Sequence, residues 1–189
     1  MLALTGYEVK EGSNYALKKM RNKSPRFSKS DLKKMYSKYD SKVISSLAIA
    51  DESVINYELI AELLEHIARN EEEGAILVFM PGMMEITKAI EELRKKELFQ
   101  DPSKAVIYPL HSSLSTEEQK AVFQVPSKGI RKVVVATNIA ETSITIEGEF
   151  FLLYCMQFFP GHLTFSDLYH QMLCLLSTPG ELRKIDRIK

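Results

Sequence analysis

The chain has 189 residues, 45% of them hydrophobic and 26% charged, which is enough for one globular domain with a sizeable core. Its 25 basic and 25 acidic side chains balance, so no overall basic excess argues for nucleic-acid binding. The two cysteines, Cys155 and Cys174, lack CxxC partners, which argues against a disulfide framework or a zinc site. Because no apolar run reaches about 18 residues and no signal peptide is evident, we predict an intracellular protein, cytoplasmic or nuclear, without a membrane partner.

The N-terminal quarter of the chain is basic, although the whole is neutral. Residues 1–46 contain eleven Lys and Arg against four Asp and Glu, whereas residues 51–73 contain eight acids and a single basic residue, Arg69. Aromatic residues lie among the basic ones: Tyr7, Tyr15, Phe27, Tyr36 and Tyr39. Such an arm would suit stacking on RNA bases, but a solvated linker is the favoured alternative. We therefore predict that residues 1–50 form an irregular basic linker.

Apolar periodicity begins at residue 56. Asn56 is a candidate N-cap for a helix whose apolar residues follow 3.6-residue spacing: Leu59, Ile60, Leu63, Leu64 and Ile67. Ala75 to Met80 is a continuous apolar run that predicts a buried strand, ended by Pro81 and Gly82. A second amphipathic helix should follow, with these residues on one face: Met83, Ile86, Ala89, Ile90 and Leu93.

Two further strands are predicted at regular distances along the chain. They cover residues 105–110 and 132–137, and Ser115 with Glu118 forms a capping box for a short helix between them. Strand starts near residues 75, 106 and 132, each pair separated by a helix, predict parallel strands joined by right-handed βαβ crossovers. Apolarity alone predicts another strand at residues 150–154.

Parallel strands bring their carboxyl ends to one edge of the sheet. Gly82, the segment His111–Ser113 and the pair Thr137 and Asn138 should lie along that edge, which is where open α/β sheets bind ligands. The edge offers hydroxyl and backbone N–H groups, and the helix starting after Ser115 would add the positive end of its dipole. From these residues alone, a ligand-binding strand end and an ordinary capped turn both remain open.

Three stretches carry a resemblance to a known family. In chain order they read AILVFMPG (75–82), PLHSSLS (109–115) and ATNIAETSITI (136–146). Together they resemble the second RecA-like domain of DEAH/DExH-box RNA helicases of superfamily 2, and the resemblance extends from Val43 to about Glu147. It implies an α/β fold: a parallel RecA-like, P-loop NTPase-type three-layer sandwich, here incomplete, over residues 51–148. Residues 1–50 would be the connector that leaves a first RecA-like domain.

The resemblance also implies which residues bind ligands. The positions that match family contacts to RNA phosphates are His111, Ser112, Ser113, Thr137 and Asn138, so single-stranded RNA is the expected partner. We expect His111 to orient its loop rather than act as a base. The positions that match the ATP cleft are Phe123, Thr142, Thr145 and Glu147. Phe123 would stack on adenine, although its pattern alone favours the core, and aspartate is commoner than Glu147 in the family.

Several motifs of the complete enzyme are missing from the sequence. It contains no GxxxxGK[ST] phosphate loop, no DEAH box and no QRxGRAGR motif, which supplies the arginine finger. By resemblance, ATP and Mg²⁺ act in a full-length helicase together with its first RecA-like domain. This chain alone should bind neither ATP nor Mg²⁺ tightly, and it should not hydrolyse ATP. A non-enzymatic, truncated product that binds RNA or a partner is the alternative, and a generic nucleotide-binding α/β domain is a third possibility.

The resemblance stops near residue 148, and residues 149–189 look unrelated to the family. Neither His162 nor His170 has metal-ligand spacing, while spacing within residues 165–176 suggests a helix. Residues 148–150 can be encoded GGTGAGTTT, which contains the splice-donor sequence GTGAGT. Our hypothesis is that this tail is translated intron or a misjoined gene segment.

Overall fold

The computed structural model describes residues 1–17, 27–51, 54–71 and 73–137, together with three later strands at 150–154, 175–178 and 181–184. The chain divides into two compact units, residues 1–63 and residues 64–189. Within the described ranges, no helix has the length and apolarity that crossing a membrane requires.

The first unit contains short helices inside the stretch predicted to be an irregular linker. They are α1 (Leu2–Thr5), α2 (Lys29–Met35) and α3 (Ser41–Ile49). Polar side chains start the last two: Ser28 Oγ accepts the Asp31 amide at 3.2 Å and Asp40 Oδ1 accepts the Lys42 amide at 2.7 Å. The basic segment is thus partly helical, because its Ser and Asp residues satisfy amides at helix starts.

Packing in the first unit joins segments far apart in sequence. The Val9 amide donates to Ser46 Oγ at 3.0 Å in a buried setting, and Ala16 forms an antiparallel bridge with Ala50. The Tyr7 hydroxyl donates to Glu58 Oε2 at 2.7 Å. Burial, reinforced by this carboxylate, raises the pKa of Tyr7 well above its ordinary value. These contacts give the predicted linker a small core of its own.

Helix α4 (Tyr57–Asn70) confirms the helix predicted from residue 56. Asn56 Oδ1 accepts the Leu59 amide at 3.0 Å, as expected of an N-cap. Four residues of the predicted apolar face are buried: Ile60, Leu63, Leu64 and Ile67.

Among the described residues, the second unit is built on a six-stranded sheet. The strands are β1 (Ala75–Met80), β2 (Ala105–Leu110), β3 (Arg131–Thr137), β4 (Phe150–Tyr154), β5 (Leu175–Thr178) and β6 (Glu181–Lys184), in the spatial order β2-β3-β1-β4-β5-β6. The first four are mutually parallel, whereas β5 and β6 pair antiparallel. Helices α5 (Met83–Leu93) and α6 (Glu97–Gln100) lie between β1 and β2 in the sequence, and α7 (Thr116–Ala121) lies between β2 and β3.

This topology confirms the predicted parallel α/β arrangement, and β4 confirms the fourth strand. Helical spacing at the end of residues 165–176 was misleading, because Leu175 and Leu176 belong to β5, where they pair with β4 and β6. Residues 165–174 lie outside the described residues.

The core lies around the central strands. Val133, Val134 and Val135 are all fully buried, so both faces of β3 are covered, as expected for a parallel sheet. One face forms an apolar cluster: Phe79, Leu110, Val122, Val134 and Ala136. Strand β2 is an outer strand of the sheet. The missing N–H of Pro109 therefore costs no hydrogen bond between strands.

Candidate functional site

The carboxyl ends of three strands meet at one edge of the sheet. In the register, Met80 at the end of β1 pairs with Thr137 at the end of β3, and Leu110 at the end of β2 pairs with Ala136. The residues that follow these ends, Gly82 and the loop beginning at His111, therefore emerge at the same edge. This confirms the predicted convergence of the strand ends.

The loop after β2 is organised by the His111 side chain. Its Nδ1 accepts the Ser113 amide at 3.1 Å and lies 2.8 Å from Ser113 Oγ. Because a backbone N–H can only donate, Nδ1 is the acceptor in its contact with the Ser113 amide. The Leu114 amide donates to the His111 carbonyl at 3.1 Å and closes the turn. These contacts support the expectation that His111 orients the loop, while Ser112 and Ser113 remain exposed.

The helix start after this loop offers less to an anion than expected. Ser115 Oγ accepts the Glu118 amide at 3.3 Å, and Glu118 Oε2 accepts the Ser115 amide at 2.8 Å, which completes the capping box. The bond from the Ser115 amide lowers the pKa of the Glu118 carboxyl. Glu117 and Glu118 both lie in the first turn of a six-residue helix. Their carboxylates oppose the positive end of the dipole, so α7 adds little attraction for phosphate.

Gly82 begins α5 without any side-chain cap. It follows the end of β1 after Pro81, and a Cβ at this position would lie only 3.0 Å from Glu85 Oε2. The first-turn amides of α5 therefore start at the same sheet edge with no capping side chain, and Glu85 places one carboxylate in that turn, against two in α7.

Thr137 lies at the end of β3 with its side chain in the interior. The residue is only 4% exposed, and its Oγ1 is buried with no hydrogen-bond partner among the residues that the structure describes. A buried hydroxyl without a partner is costly, because water no longer hydrates it. Of the predicted RNA-binding residues that the structure describes, Thr137 alone has a buried polar atom without a hydrogen-bond partner.

Phe123 lies outside the core, contrary to what its pattern favours. The side chain is 48% exposed, and Val125 nearby is 77% exposed. Val122 instead is fully buried in the apolar cluster. Residues adjacent on a helical turn point about 100° apart, so only one of the two could face the sheet. The result is an aromatic ring presented on the surface just after α7.

A model of the helicase conserved C-terminal domain matches residues 56–173, more than half of the chain. The chain belongs to this helicase family, as the C-terminal domain of the DExH-box type within superfamily 2. The match continues past residue 148, where the resemblance of the sequence had been expected to stop.

Curated helicases share this region at high identity. The human putative ATP-dependent RNA helicase DHX57 is 46% identical over 125 residues, which are 62% of this chain and 9% of that protein. The Arabidopsis thaliana DExH-box ATP-dependent RNA helicase DExH4, chloroplastic, is 55% identical over 95 residues, 50% of this chain and 7% of that protein. The helicase domain described here thus spans less than a tenth of either relative. A solved structure of the E. coli DExH-box NTPase HrpB aligns with a TM-score of 0.45 at 36% identity, covering 52% of this chain and 12% of that one.

Four of the residues for which the family resemblance implies RNA or ATP contacts belong to a part of the chain that the structure does not describe. Asn138, Thr142, Thr145 and Glu147 lie outside the described residues, and their RNA and ATP contacts stay predictions. Among the residues that the structure does describe, no group of three or more His, Cys, Asp or Glu side chains is arranged to hold a metal ion.

Two basic residues that sequence reasoning passed over have specific roles at the start of β3. Arg131 donates to the carbonyls of Gly74 at 2.8 Å, Glu71 at 2.9 Å and Ala68 at 3.3 Å. It therefore binds carbonyls at the end of α4 and before β1. Burial lowers the pKa of the Arg131 guanidinium, with nearby Glu73 and Glu71 opposing that shift.

Lys132 is 5% exposed, although it carries an ammonium group. Its Nζ donates to the Gln124 carbonyl at 2.9 Å and lies 5.9 Å from the centre of the Tyr108 ring. Burial lowers the pKa of this amine. The available signal was the strand pattern: Lys132 shares a strand face with Val134 and Ala136, both of which are buried in the apolar cluster.

Proposed function

We propose that this chain serves as the second RecA-like domain of an ATP-dependent RNA helicase and that its carboxyl sheet edge holds single-stranded RNA. The observation that carries the proposal is the convergence of three strand ends, one of which ends at Thr137, whose buried hydroxyl has no hydrogen-bond partner among the described residues. Exposed Ser112 and Ser113 and the uncapped start of α5 supply hydroxyl and amide groups beside it.

Hydroxyl and amide groups suit a phosphate backbone without reading its sequence. Contacts of this kind fix position and orientation on a nucleic acid but carry no information about bases. A helicase must hold every sequence that it moves along, so this edge fits translocation better than recognition of a particular site.

The ATP-binding part of the proposal rests on Phe123. Its half-exposed ring offers an aromatic face for adenine, and Thr142, Thr145 and Glu147 are proposed to approach the ribose and phosphates. Mg²⁺ and the phosphate loop would come from the first RecA-like domain of the same enzyme, which is the proposed intramolecular partner. ATP hydrolysis between the two domains would then drive 3′-to-5′ movement on RNA in an intracellular compartment, cytoplasmic or nuclear.

RNA binding is tested by fluorescence anisotropy with labelled single-stranded oligonucleotides of unrelated sequence. Exchanging Thr137 and Asn138 for alanine should weaken binding to every sequence by about 1 to 3 kcal/mol, and Ser112→Ala should act in the same direction. Ser127→Ala is the matched control, because this exposed serine precedes β3 at the opposite edge of the sheet. Affinity should fall steeply with salt. Unchanged binding by the Thr137 and Asn138 variant would refute the role of this edge.

A non-enzymatic product remains the second candidate, because the sequence lacks the phosphate loop, the DEAH box and the arginine-finger motif. We expect the isolated chain to show no ATPase activity above background with or without RNA. RNA-stimulated hydrolysis by pure chain would contradict this expectation. Clear ATP binding without RNA binding would instead favour a generic nucleotide-binding domain.

The origin of residues 149–189 stays a proposal: translated intron or a misjoined gene segment. The family match to residue 173 and the parallel pairing of β4 with β1 count against a boundary at residue 148. The genomic sequence and the transcript across codons 147–151 decide the question. A spliced transcript that encodes this tail from a true downstream exon would rule the proposal out.

A further inference from the structure

The connection between α7 and β3 is fastened by one buried cation. Lys132 Nζ donates to the carbonyl of Gln124, the residue directly after the exposed Phe123. Among the described residues, Lys132 has no carboxylate partner, and the Tyr108 ring 5.9 Å away offers only a weak cation–π contact. The hydrogen bond to this connection is therefore the principal compensation for burying the ammonium group.

Neighbouring carbonyls are already used by the chain itself. The amides of Val122, Phe123 and Gln124 donate to the carbonyls of Gln119, Lys120 and Ala121, respectively. Gln124 is the last residue of this run of turns, and its carbonyl accepts from Lys132 directly after the exposed Phe123. A cation near the carboxyl end of a helix is also favoured by the helix dipole.

Burial of this lysine costs free energy that an apolar side chain would not. Replacing a buried charged group by a well-packed apolar residue of similar volume is often neutral or stabilising. Stability alone would therefore favour an apolar residue at this position. A donor that holds the segment around Phe123 in place gives a reason for the ammonium group.

We propose that Lys132 is a positioning residue for the nucleotide: its bond to the Gln124 carbonyl holds the segment Val122–Val125 so that the Phe123 ring is oriented for an adenine base. The inference rests on the proposed role of Phe123 in binding ATP. Under this proposal, the residue that orders the Phe123 ring before the nucleotide binds lies on strand β3 and not in the ATP cleft.

The test uses the 189-residue chain with adenosine 5′-monophosphate as the probe, monitored by saturation transfer to the adenine protons in proton NMR. Lys132→Met removes the donor while retaining length and apolar volume. We expect it to weaken adenine binding roughly fivefold, the equivalent of one lost hydrogen bond of about 1 kcal/mol. Lys132→Arg should restore part of the affinity. Lys128→Met, an exposed lysine in the same connection, should change nothing.

Two further readouts separate positioning from structural support. Amide hydrogen exchange should rise severalfold at residues 123–125 in Lys132→Met while β1 and β3 stay protected, and the melting temperature should stay equal or rise. A lower melting temperature with faster exchange throughout the sheet would overturn the inference, because Lys132 would then simply support the fold.

Failure of the inference can be told apart from failure of the proposed function. If Phe123→Ala weakens adenine binding and Lys132→Met does not, only the positioning role is refuted. If Phe123→Ala leaves binding unchanged, or the wild-type chain shows no saturation transfer, the adenine role of Phe123 fails and the inference falls with it.

Discussion

Arg131 gives the sharpest test of how the second unit is held together. Its guanidinium donates two short bonds, to Gly74 and Glu71 at 2.8 and 2.9 Å, and a longer one to Ala68 at 3.3 Å. Helix α4 ends at Asn70, so Ala68 is among the residues whose carbonyls lack partners within the helix. A single side chain therefore satisfies the end of α4 and the entry to β1 from the start of β3.

Replacing Arg131 by Met removes these three bonds and keeps most of the apolar stem. Hydrogen bonds to charged donors contribute about 1.5 to 3 kcal/mol each, but the guanidinium regains water on unfolding and the freed carbonyls are partly accessible to solvent. We therefore expect a net loss of about 2 to 3 kcal/mol in the free energy of unfolding. Arg131→Lys should recover only part of it, because an ammonium cannot span three carbonyls as a planar fork does.

Urea unfolding followed by circular dichroism measures this loss, with Arg94→Met as the exposed control. The urea dependence of the unfolding free energy should stay the same, so that the midpoint alone shifts. A loss within about 0.5 kcal/mol of the control, which is the usual range for surface substitutions, would refute the structural role assigned to Arg131.

Two other substitutions have clear expected signs. Thr137→Val removes a buried hydroxyl that lacks a partner among the described residues, so it should raise the free energy of unfolding by about 1 kcal/mol while weakening RNA binding. A less stable variant with unchanged RNA affinity would show that the hydroxyl serves the fold. Glu118→Gln removes a carboxyl whose pKa is lowered in the folded chain, so the stability that this group adds is present above its unfolded pKa and is lost as pH falls through the folded value. The variant should show a smaller loss of stability on acidification than wild type; identical pH profiles would refute the contribution of the capping box.

The sheet was predictable because its strands are short apolar runs with clear boundaries. The predicted bounds of β1 and β2 match those of the structure, since Pro81 and Gly82 end one run and His111 follows the other. Parallel pairing followed from the intervening helices. Strand bounds and strand direction both depend on residues close together in the chain, so the sequence alone was sufficient to predict them.

The missed features depend on partners that are distant in sequence or on single-residue rotation. Arg131 bonds carbonyls about 60 positions earlier, which no local pattern announces. Val122 and Phe123 are adjacent and both apolar, so the pattern could not tell which one faces the sheet. The two-residue alternation of the strand places Lys132 on the buried face, but lysine is usually exposed, so the pattern alone did not predict its burial.

Strand β3 connects the two proposed sites and also keeps them apart. Lys132 near its start is the proposed positioning residue for the adenine segment, and Thr137 at its end belongs to the proposed RNA edge. Five residues of extended chain separate them by about 16 Å. Contacts at that distance, with no shared partner, are expected to act independently within the domain. The strand between them is buried on both faces, so it offers little freedom to deform. For the proposed helicase we therefore expect ATP hydrolysis to be coupled to RNA movement by motion against the proposed first RecA-like domain, and not by rearrangement inside this sheet.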